Sequence, residues 1–310
     1  MVNDKEKNFI SAVVYVHNNE NTVKDFLLKI NKALSDVFNK YEIICVNDAS
    51  YDDSAKVIKQ ISDSELSCPL SIVNMSFEQG LEMSMNAGVD LAIGDFVYEF
   101  DSVSIDFDES VISDIYFHSL KGYDIVSAVS DRKKAASSKL FYRFFNKHAN
   151  AQHKIGTETF RVLSRRAINR VHSLSKTIPY RKALYANCGL KIDSICYKST
   201  EKSKQTTKNS YKFKTATDTL ILFTDIGYKL SMALTFLMIT ATVAIGIYTI
   251  VVYLTGQPVP GFTTMMLVMT GAFFGIFAIL TVIIKYLSLL VDLIFKKQRY
   301  IIESIEKVNK

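Results

Sequence analysis

The sequence has few of the residues that disulfide-linked or zinc-binding domains require. Only four of its 310 residues are cysteines, and no two of them form a Cys-x-x-Cys pair. Zinc sites and disulfide frameworks use closely spaced cysteines, so neither is indicated here. Free thiols are the normal state of cysteine in the cytosol, and we expect reduced side chains at Cys45, Cys68, Cys188 and Cys196.

Charged residues are absent from a long C-terminal segment. Asp, Glu, Lys, Arg and His do not occur between Leu230 and Ile284, although charged residues make up 22% of the chain. A helix needs about 20 apolar residues to cross a bilayer, so this segment predicts two transmembrane helices, at about 230–254 and 263–284. A buried helical hairpin is the alternative. Small residues four apart in the second span would also allow close helix packing and hence a homo-oligomer.

The N-terminal residues do not resemble a secretory signal, because they are charged and polar and the apolar run that follows is short and lacks a cleavage site. Lysine and arginine flank the predicted spans but not the loop between them, which predicts an inner-membrane protein with both ends in the cytosol. We therefore expect a cytosolic domain (1–198), a linker with an interfacial segment (199–229), a membrane anchor (230–290) and a basic cytosolic tail (291–310).

The net charge of +6 is concentrated in two segments, 132–148 and 202–214. In the first, Lys139, Arg143 and Lys147 recur every four residues beside phenylalanines, which is typical of a helix lying on an anionic membrane surface. A solvated charged face over an ordinary core is the alternative. Because the membrane accounts for this basic bias, we do not expect nucleic acid as a partner.

Short apolar runs alternate with helical patterns over the first 125 residues. Strands are predicted at 9–16, 41–48, 70–75 and 95–101, and further strands at 125–130 and 190–198. This alternation predicts a parallel, doubly wound α/β sheet with right-handed crossovers. Two carboxylates, Asp48 and Asp101, come at the ends of predicted strands, where open α/β sheets keep their ligand sites.

Several segments resemble motifs of family 2 glycosyltransferases. "VVYVHNNENTV" (13–23) is similar to the opening strand and turn, "CVNDASYDDS" (45–54) to the nucleotide-binding block, and "NAGVDLAIGDFVYEFDS" (86–102) to the block that ends in the DxD motif. "LFYRFFNK" (140–147) and "GTETFRVLSRRAI" (156–168) resemble elements of polyprenyl-phosphate glycosyltransferases, relatives of dolichol-phosphate mannose synthase. The resemblance implies a GT-A domain, with a mostly parallel Rossmann-like sheet, and a C-terminal two-helix membrane anchor.

The same resemblance implies a reaction. It is inverting transfer of a sugar from a nucleotide-sugar, with a UDP-sugar favoured, to a membrane polyprenyl (undecaprenyl) phosphate, giving a lipid-linked sugar for surface glycan or protein glycosylation. A phosphate acceptor is already anionic, so catalysis needs positioning and neutralisation of the leaving diphosphate rather than a strong base. Mg²⁺ or Mn²⁺ is the implied cofactor.

Roles on the donor side follow from position in these motifs. Asp48 matches the carboxylate that contacts the nucleotide, Glu20 the acidic residue of the first turn, and Asp101 the first Asp of DxD. The resemblance therefore implies donor binding by all three and a catalytic, metal-binding role for Asp101. As an alternative, Asp48 would only cap the helix that follows it.

On the acceptor side, Arg161 matches an arginine expected to bind the lipid phosphate, and Arg132 and Lys182 are weaker matches. Arginine suits a phosphate because its forked donors stay charged. The alternative for Arg161 is a surface ion pair.

The DxD motif is incomplete, because Val103 stands in place of the second Asp and Ile105 in place of a following Gln. Neither side chain can ligate a metal. Either Asp101 still holds Mg²⁺ with donor phosphates and water, or a nearby carboxylate replaces the lost ligand, or catalysis is lost and the chain is a membrane-bound subunit or regulator. The candidate replacements are Glu99, on the same face of the strand as Asp101, and Asp106 and Asp108 in the next loop.

Overall fold

The computed structural model describes residues 5–132, 158–174, 180–200 and 300–309, with single positions between these ranges. The basic segment 132–148, the linker 199–229 and the two predicted spans fall mostly outside the described residues, and the expectations for them stay predictions. Where the chain is described, no helix is long and apolar enough to cross a bilayer.

One mixed sheet runs through the described residues. Its strands are β1 (Ile10–Val16), β2 (Tyr41–Asn47), β3 (Leu70–Met75), β4 (Phe96–Phe100), β5 (Ile125–Ser130), β6 (Glu158–Ser164), β7 (Ile192–Tyr197) and β8 (Ile302–Asn309). They lie in the order β7-β5-β6-β4-β1-β2-β3-β8. The strands from β4 to β3 in this order are parallel, as are β5 and β7, whereas β6 and β8 run antiparallel to their neighbours.

Helices cover both faces of the sheet. They are α1 (Val23–Val37), α2 (Ser54–Ser64), α3 (Leu81–Leu91), α4 (Ser110–Ser119), α5 (Arg165–Leu174) and α6 (Arg181–Ala186). Buried residues of α1, α2 and α4 pack with Val14 of β1, and those of α3, α5 and α6 pack with Val13 on the opposite face. Central parallel strands bury both faces and therefore read as apolar runs. The predicted α/β class, with a mostly parallel sheet, is confirmed.

Helix α3 approaches the sheet closely at Gly88. A Cβ atom there would lie 2.3 Å from Cγ1 of Val13 and 2.6 Å from Cγ2 of Val46, which is closer than two carbon atoms can pack. Glycine thus sets the distance of α3 from β1 and β2, and with it the position of Glu82 in the first turn of α3.

The C-terminal residues add an edge strand to this sheet. Nδ2 of Asn74 on β3 donates to Oγ of Ser304 and Oε1 of Glu306 at 3.0 and 3.1 Å, and Nζ of Lys59 lies 2.5 Å from Oε2 of Glu306. Only a basic tail was expected here. The signal for a strand was the alternation of apolar and charged residues in "IESIEKVN".

The sheet changes its direction of winding between β1 and β4, because β1 connects to β2 on one side while β4 lies on the other. Open α/β sheets bind ligands beyond the carboxyl ends of the strands at such a point. Asp48 follows β2 and Asp101 follows β4, so the fold places both predicted carboxylates at this edge of the sheet.

Candidate active site

Strands β4 and β6 bring two opposite charges together inside the sheet. Their register places Glu99 directly opposite Arg161, and Nη1 of Arg161 donates to Oε2 of Glu99 at 2.8 Å. The Glu99 side chain is 0% exposed and that of Arg161 is 1% exposed, so Arg161 is not in a surface ion pair. Buried charges are tolerated only when each has hydrogen-bonded partners, and this pair forms the base of a larger cluster.

Asp101 lies above that pair and receives a guanidinium on each carboxylate oxygen. Nη2 of Arg161 donates to Oδ2 at 2.8 Å, and Nη2 of Arg181 donates to Oδ1 at 2.7 Å. The Asp101 side chain is 13% exposed, whereas that of Arg181 is 1% exposed. The structure thus brings two of the predicted residues, Asp101 and Arg161, into direct contact through charge-assisted hydrogen bonds.

Arg181 links this cluster to α3. Both its backbone N and its Nε donate to Oε2 of Glu82, at 2.9 and 3.0 Å, and its Nη1 lies 2.8 Å from Oε1 of Glu99 without an aligned hydrogen bond. The hydroxyl of Tyr185, one turn along α6, donates to the same Glu99 oxygen at 2.7 Å. Two helices and two strands therefore hold the cluster in one geometry.

Lys182 stands at the edge of the cluster. Its Nζ donates to the backbone oxygen of Glu158 at 3.1 Å and lies 3.6 Å from Oε2 of the same residue. That carboxylate oxygen is also 3.9 Å from Nη2 of Arg161. Lys182 thus joins the predicted acceptor-side residue Arg161 through a shared carboxylate.

The charges of the cluster stabilise one another. Burial alone would raise the pKa of Asp101, but the guanidiniums of Arg161 and Arg181 outweigh burial and hold that pKa well below its usual value. Burial would lower the pKa of Arg161, but Asp101 and Glu99 raise it. Charge pairing within the cluster therefore favours the ionised forms of Asp101 and Arg161.

Asp48 lies fully buried in a different environment. Its carboxylate accepts hydrogen bonds from the backbone N of Gln79 and of Gly80, each at 2.8 Å, and from the hydroxyl of Tyr15 at 2.9 Å. The ring of His17 contacts its backbone oxygen at 2.7 Å. Asp48 therefore fixes the loop that leads into α3 and does not cap α2, the helix that follows it in the chain.

The remaining two predicted residues lie apart from the Asp101 cluster. Glu20 is exposed, and its carboxylate accepts a hydrogen bond from the backbone N of Asp53 at 3.1 Å. Arg132 has an exposed fraction of 32%, and its Nη1 lies 3.8 Å from Oδ2 of Asp106. Its Nη2 is buried and has no hydrogen-bond partner in the described part of the chain.

The described side chains around Asp101 do not fit a divalent cation. Both oxygens of Asp101 already face a guanidinium, and Val103 is a core residue with 7% exposure. The proposed substitutes are also engaged, since Glu99 is bonded as above, Asp106 accepts from the Tyr197 hydroxyl, and Asp108 accepts from the backbone at the start of α4. Within the described ranges, no group of three acidic, His or Cys side chains is placed to hold a metal ion.

Sequence reasoning missed four members of the cluster, Glu82, Glu158, Arg181 and Tyr185. The available signal for Arg181 was its position beside Lys182 in "YRKALY", where only the lysine was selected. Glu82 lies on a different element and is brought to Arg181 by the fold, so no local pattern identified it.

Comparisons with known proteins agree with this architecture. Residues 11–176 match the model of the family described as glycosyl transferase family 2. An uncharacterized glycosyltransferase of Synechocystis is 27% identical over 267 residues, which cover 83% of each chain. A prophage bactoprenol glucosyl transferase homolog of Escherichia coli is 28% identical over 212 residues, covering 66% of this chain and 68% of that protein.

Among solved structures, a mannosyltransferase from Pyrobaculum calidifontis in complex with GDP-Man and Mn²⁺ superposes with a TM-score of 0.51 at 13% identity. The match covers 70% of this chain and 63% of that one. At this identity the likeness shows the GT-A-like fold alone.

Proposed function

The chain belongs to glycosyl transferase family 2, and from that premise we propose that it transfers a sugar from a nucleotide-sugar to a polyprenyl phosphate in a membrane. The observation that carries this proposal is the buried cluster of paired charges at the carboxyl end of β4, where Arg161, Arg181 and Lys182 surround Asp101. The relative named as a bactoprenol glucosyl transferase homolog supports the class of acceptor.

The chemistry requires little acid–base assistance from the chain. A lipid phosphate is a nucleophile in its anionic form, so the protein must position it in line with the anomeric carbon and stabilise charge on the leaving diphosphate. Arg132, whose side chain is 32% exposed, is the residue that we assign to contact an incoming phosphate. Arg161 is buried beneath Asp101 and acts through it. We derive no step through a metal ion.

The proposal includes inversion at the anomeric carbon, a UDP-sugar as the favoured donor and a cytosolic domain tethered to the inner membrane. The uncharged run from Leu230 to Ile284 supports the two-helix anchor, because its length matches two bilayer crossings. The anchor would keep the domain close to its lipid substrate.

Transfer of radiolabelled sugar from a panel of UDP- and GDP-sugars to undecaprenyl phosphate, by the purified full chain in detergent, tests this function. We expect a lipid-linked product from one donor. Arg132→Gln should raise the KM for the lipid phosphate roughly tenfold, the loss of about one charge-assisted hydrogen bond, while Arg170→Gln on the exposed face of α5 serves as the matched control. Absence of product from every donor, with an acceptor that an active relative accepts, would refute the proposal.

A second candidate is a membrane-bound subunit without activity of its own. The replacement of the second DxD carboxylate by the buried Val103 favours it. Nucleotide binding without transfer, in the same panel, would select this candidate.

A further inference from the structure

We propose that this chain binds its donor without a divalent cation at Asp101, and that this carboxylate is a positioning residue for two buried arginines rather than a metal ligand. This inference rests on the proposed function, because it concerns the same donor site. It goes beyond that function by assigning the positive charge that faces Asp101 to Arg161 and Arg181 instead of Mg²⁺ or Mn²⁺.

The place of a metal at Asp101 is already occupied by positive charge. Guanidinium nitrogens lie 2.7 and 2.8 Å from its two oxygens. A cation bound to either oxygen at about 2.1 Å would lie within a few ångströms of both guanidiniums. Like charges at that distance repel strongly in a site shielded from water.

The arginines are held so that they cannot turn away to admit a metal. Arg161 is anchored by Glu99 and Arg181 by Glu82, and both guanidiniums are 1% exposed. Moving either one would leave a buried carboxylate unpaired, which is a large energetic cost. Asp101 is therefore the outermost acceptor of a rigid network.

The loss of the second DxD carboxylate agrees with this assignment. Val103 is buried and belongs to the apolar core on the side of α1 and α4, so the backbone after β4 directs this position into the core and away from the arginines. A chain that needs no metal at Asp101 loses nothing when a core residue takes this place.

The first measurement is direct binding of Mn²⁺ to the purified full chain in detergent, followed by the electron paramagnetic resonance signal of free Mn²⁺. We expect the signal to be unchanged by the protein up to millimolar Mn²⁺. Saturable binding that is lost in Asp101→Asn would overturn the inference, whatever the enzyme transfers.

Nucleotide affinity provides the second measurement. Titration calorimetry with UDP and with GDP, in EDTA and in Mn²⁺, should give dissociation constants within twofold of each other for the nucleotide that binds. An affinity at least tenfold weaker in EDTA would overturn the inference while leaving the proposed transfer intact. If neither nucleotide binds under either condition, the proposed function fails, and Mn²⁺ binding alone decides the inference.

A stability comparison separates the two roles of Asp101 without any ligand. If the carboxylate holds two buried arginines, Asp101→Asn in EDTA should lower the melting temperature by roughly 6 °C or more, and Asp114→Asn on the exposed face of α4 should not. If Asp101 were a vacant metal ligand, its neutralisation would leave the melting temperature unchanged or raise it, and Mn²⁺ would stabilise only the wild type. Should Asp101→Asn fail to fold, the wild type with and without Mn²⁺ still gives the answer.

Discussion

Asp48 and Asp101 occupy equivalent places at the carboxyl ends of parallel strands on either side of β1, yet they are held in opposite ways. Asp48 is satisfied by neutral donors, which are two backbone N–H groups and a tyrosine hydroxyl. Asp101 is satisfied by two guanidiniums from β6 and α6. The neutral donors order a loop close to Asp48, whereas the charged donors join side chains from distant parts of the chain.

The difference shows what the same residue type contributes in two positions. A buried carboxylate with neutral donors costs the protein little more than those hydrogen bonds when it is replaced. A buried carboxylate between two arginines cannot be replaced without leaving cations unpaired in a region of low polarity. Substitutions in the Asp101 cluster should therefore lower the free energy of unfolding more than substitutions in the Asp48 loop.

The largest effect is expected from Arg181→Met. This change removes one of two cations that balance Glu82, Glu99 and Asp101, and breaking a buried ion-pair network costs about 3–5 kcal/mol. The free energy of unfolding, measured with urea, should fall by that amount. Arg170→Met, on the exposed face of α5, is the matched control, and equal losses from the two variants would mean that the cluster is energetically unimportant.

The second-largest effect is expected from acid, which should weaken the ion pairs of Asp101. Because the folded-state pKa of Asp101 is depressed, its contribution is complete above the unfolded value near 4 and is lost progressively as pH falls below it. On the order of 2–3 kcal/mol is expected for a shift of this kind.

Unfolding free energy measured from pH 6 to pH 2 should therefore decline less steeply in Asp101→Asn than in the wild type. Other carboxylates with lowered pKa values, such as Asp124 and Asp193, contribute to both curves, so the difference between the curves isolates Asp101. Parallel curves would contradict the assignment of strong charge pairing at this residue.

Sequence reasoning predicted the parts of this fold that local pattern determines. The alternation of apolar strands and helices predicted the central parallel sheet, because each unit is coded within about 30 contiguous residues. The edge strand β8 was missed, since it pairs with β3 from more than 200 residues away, as the contact between Asn74 and Ser304 shows. Pairing at that separation leaves no local trace beyond a period-two alternation.

Only the site residues that lie in recognisable sequence motifs were predictable. Motif positions led to Asp48, Asp101 and Arg161, and the fold brings the last two into contact. Partner choice was not predictable, because Glu82 on α3 and Arg181 on α6 are distant in the chain and are brought together only by the fold. Asp48→Asn and Asp101→Asn are the same change of residue type, but we expect different effects on stability because the two carboxylates have different hydrogen-bond partners.

A smaller effect is expected from Asp48→Asn. The amide has one acceptor oxygen, so one of the backbone N–H groups of Gln79 and Gly80 loses its partner, at about 1–3 kcal/mol. Hydrogen exchange should speed up in peptides covering 76–85 and stay unchanged in peptides covering Arg161. Faster exchange at Arg161 would show that the two carboxylates belong to one network.

The smallest effect is expected from Gln79→Ala, which tests how far the Asp48 loop extends its influence. The Gln79 side chain forms two hydrogen bonds with the backbone of Ile301. Its Nε2 donates to the Ile301 carbonyl oxygen at 2.6 Å, and its Oε1 accepts from the Ile301 N at 2.9 Å. Loss of both bonds should cost about 1 kcal/mol and speed hydrogen exchange in residues 300–309. Thr22→Ala, at an exposed position at the start of α1, is a control on another element. If exchange also rises at 79–80, the edge strand β8 stabilises the loop that Asp48 holds. The C-terminal strand then influences the donor side of the site through this loop, whereas no hydrogen bond or ion pair joins it to the described residues of the Asp101 cluster.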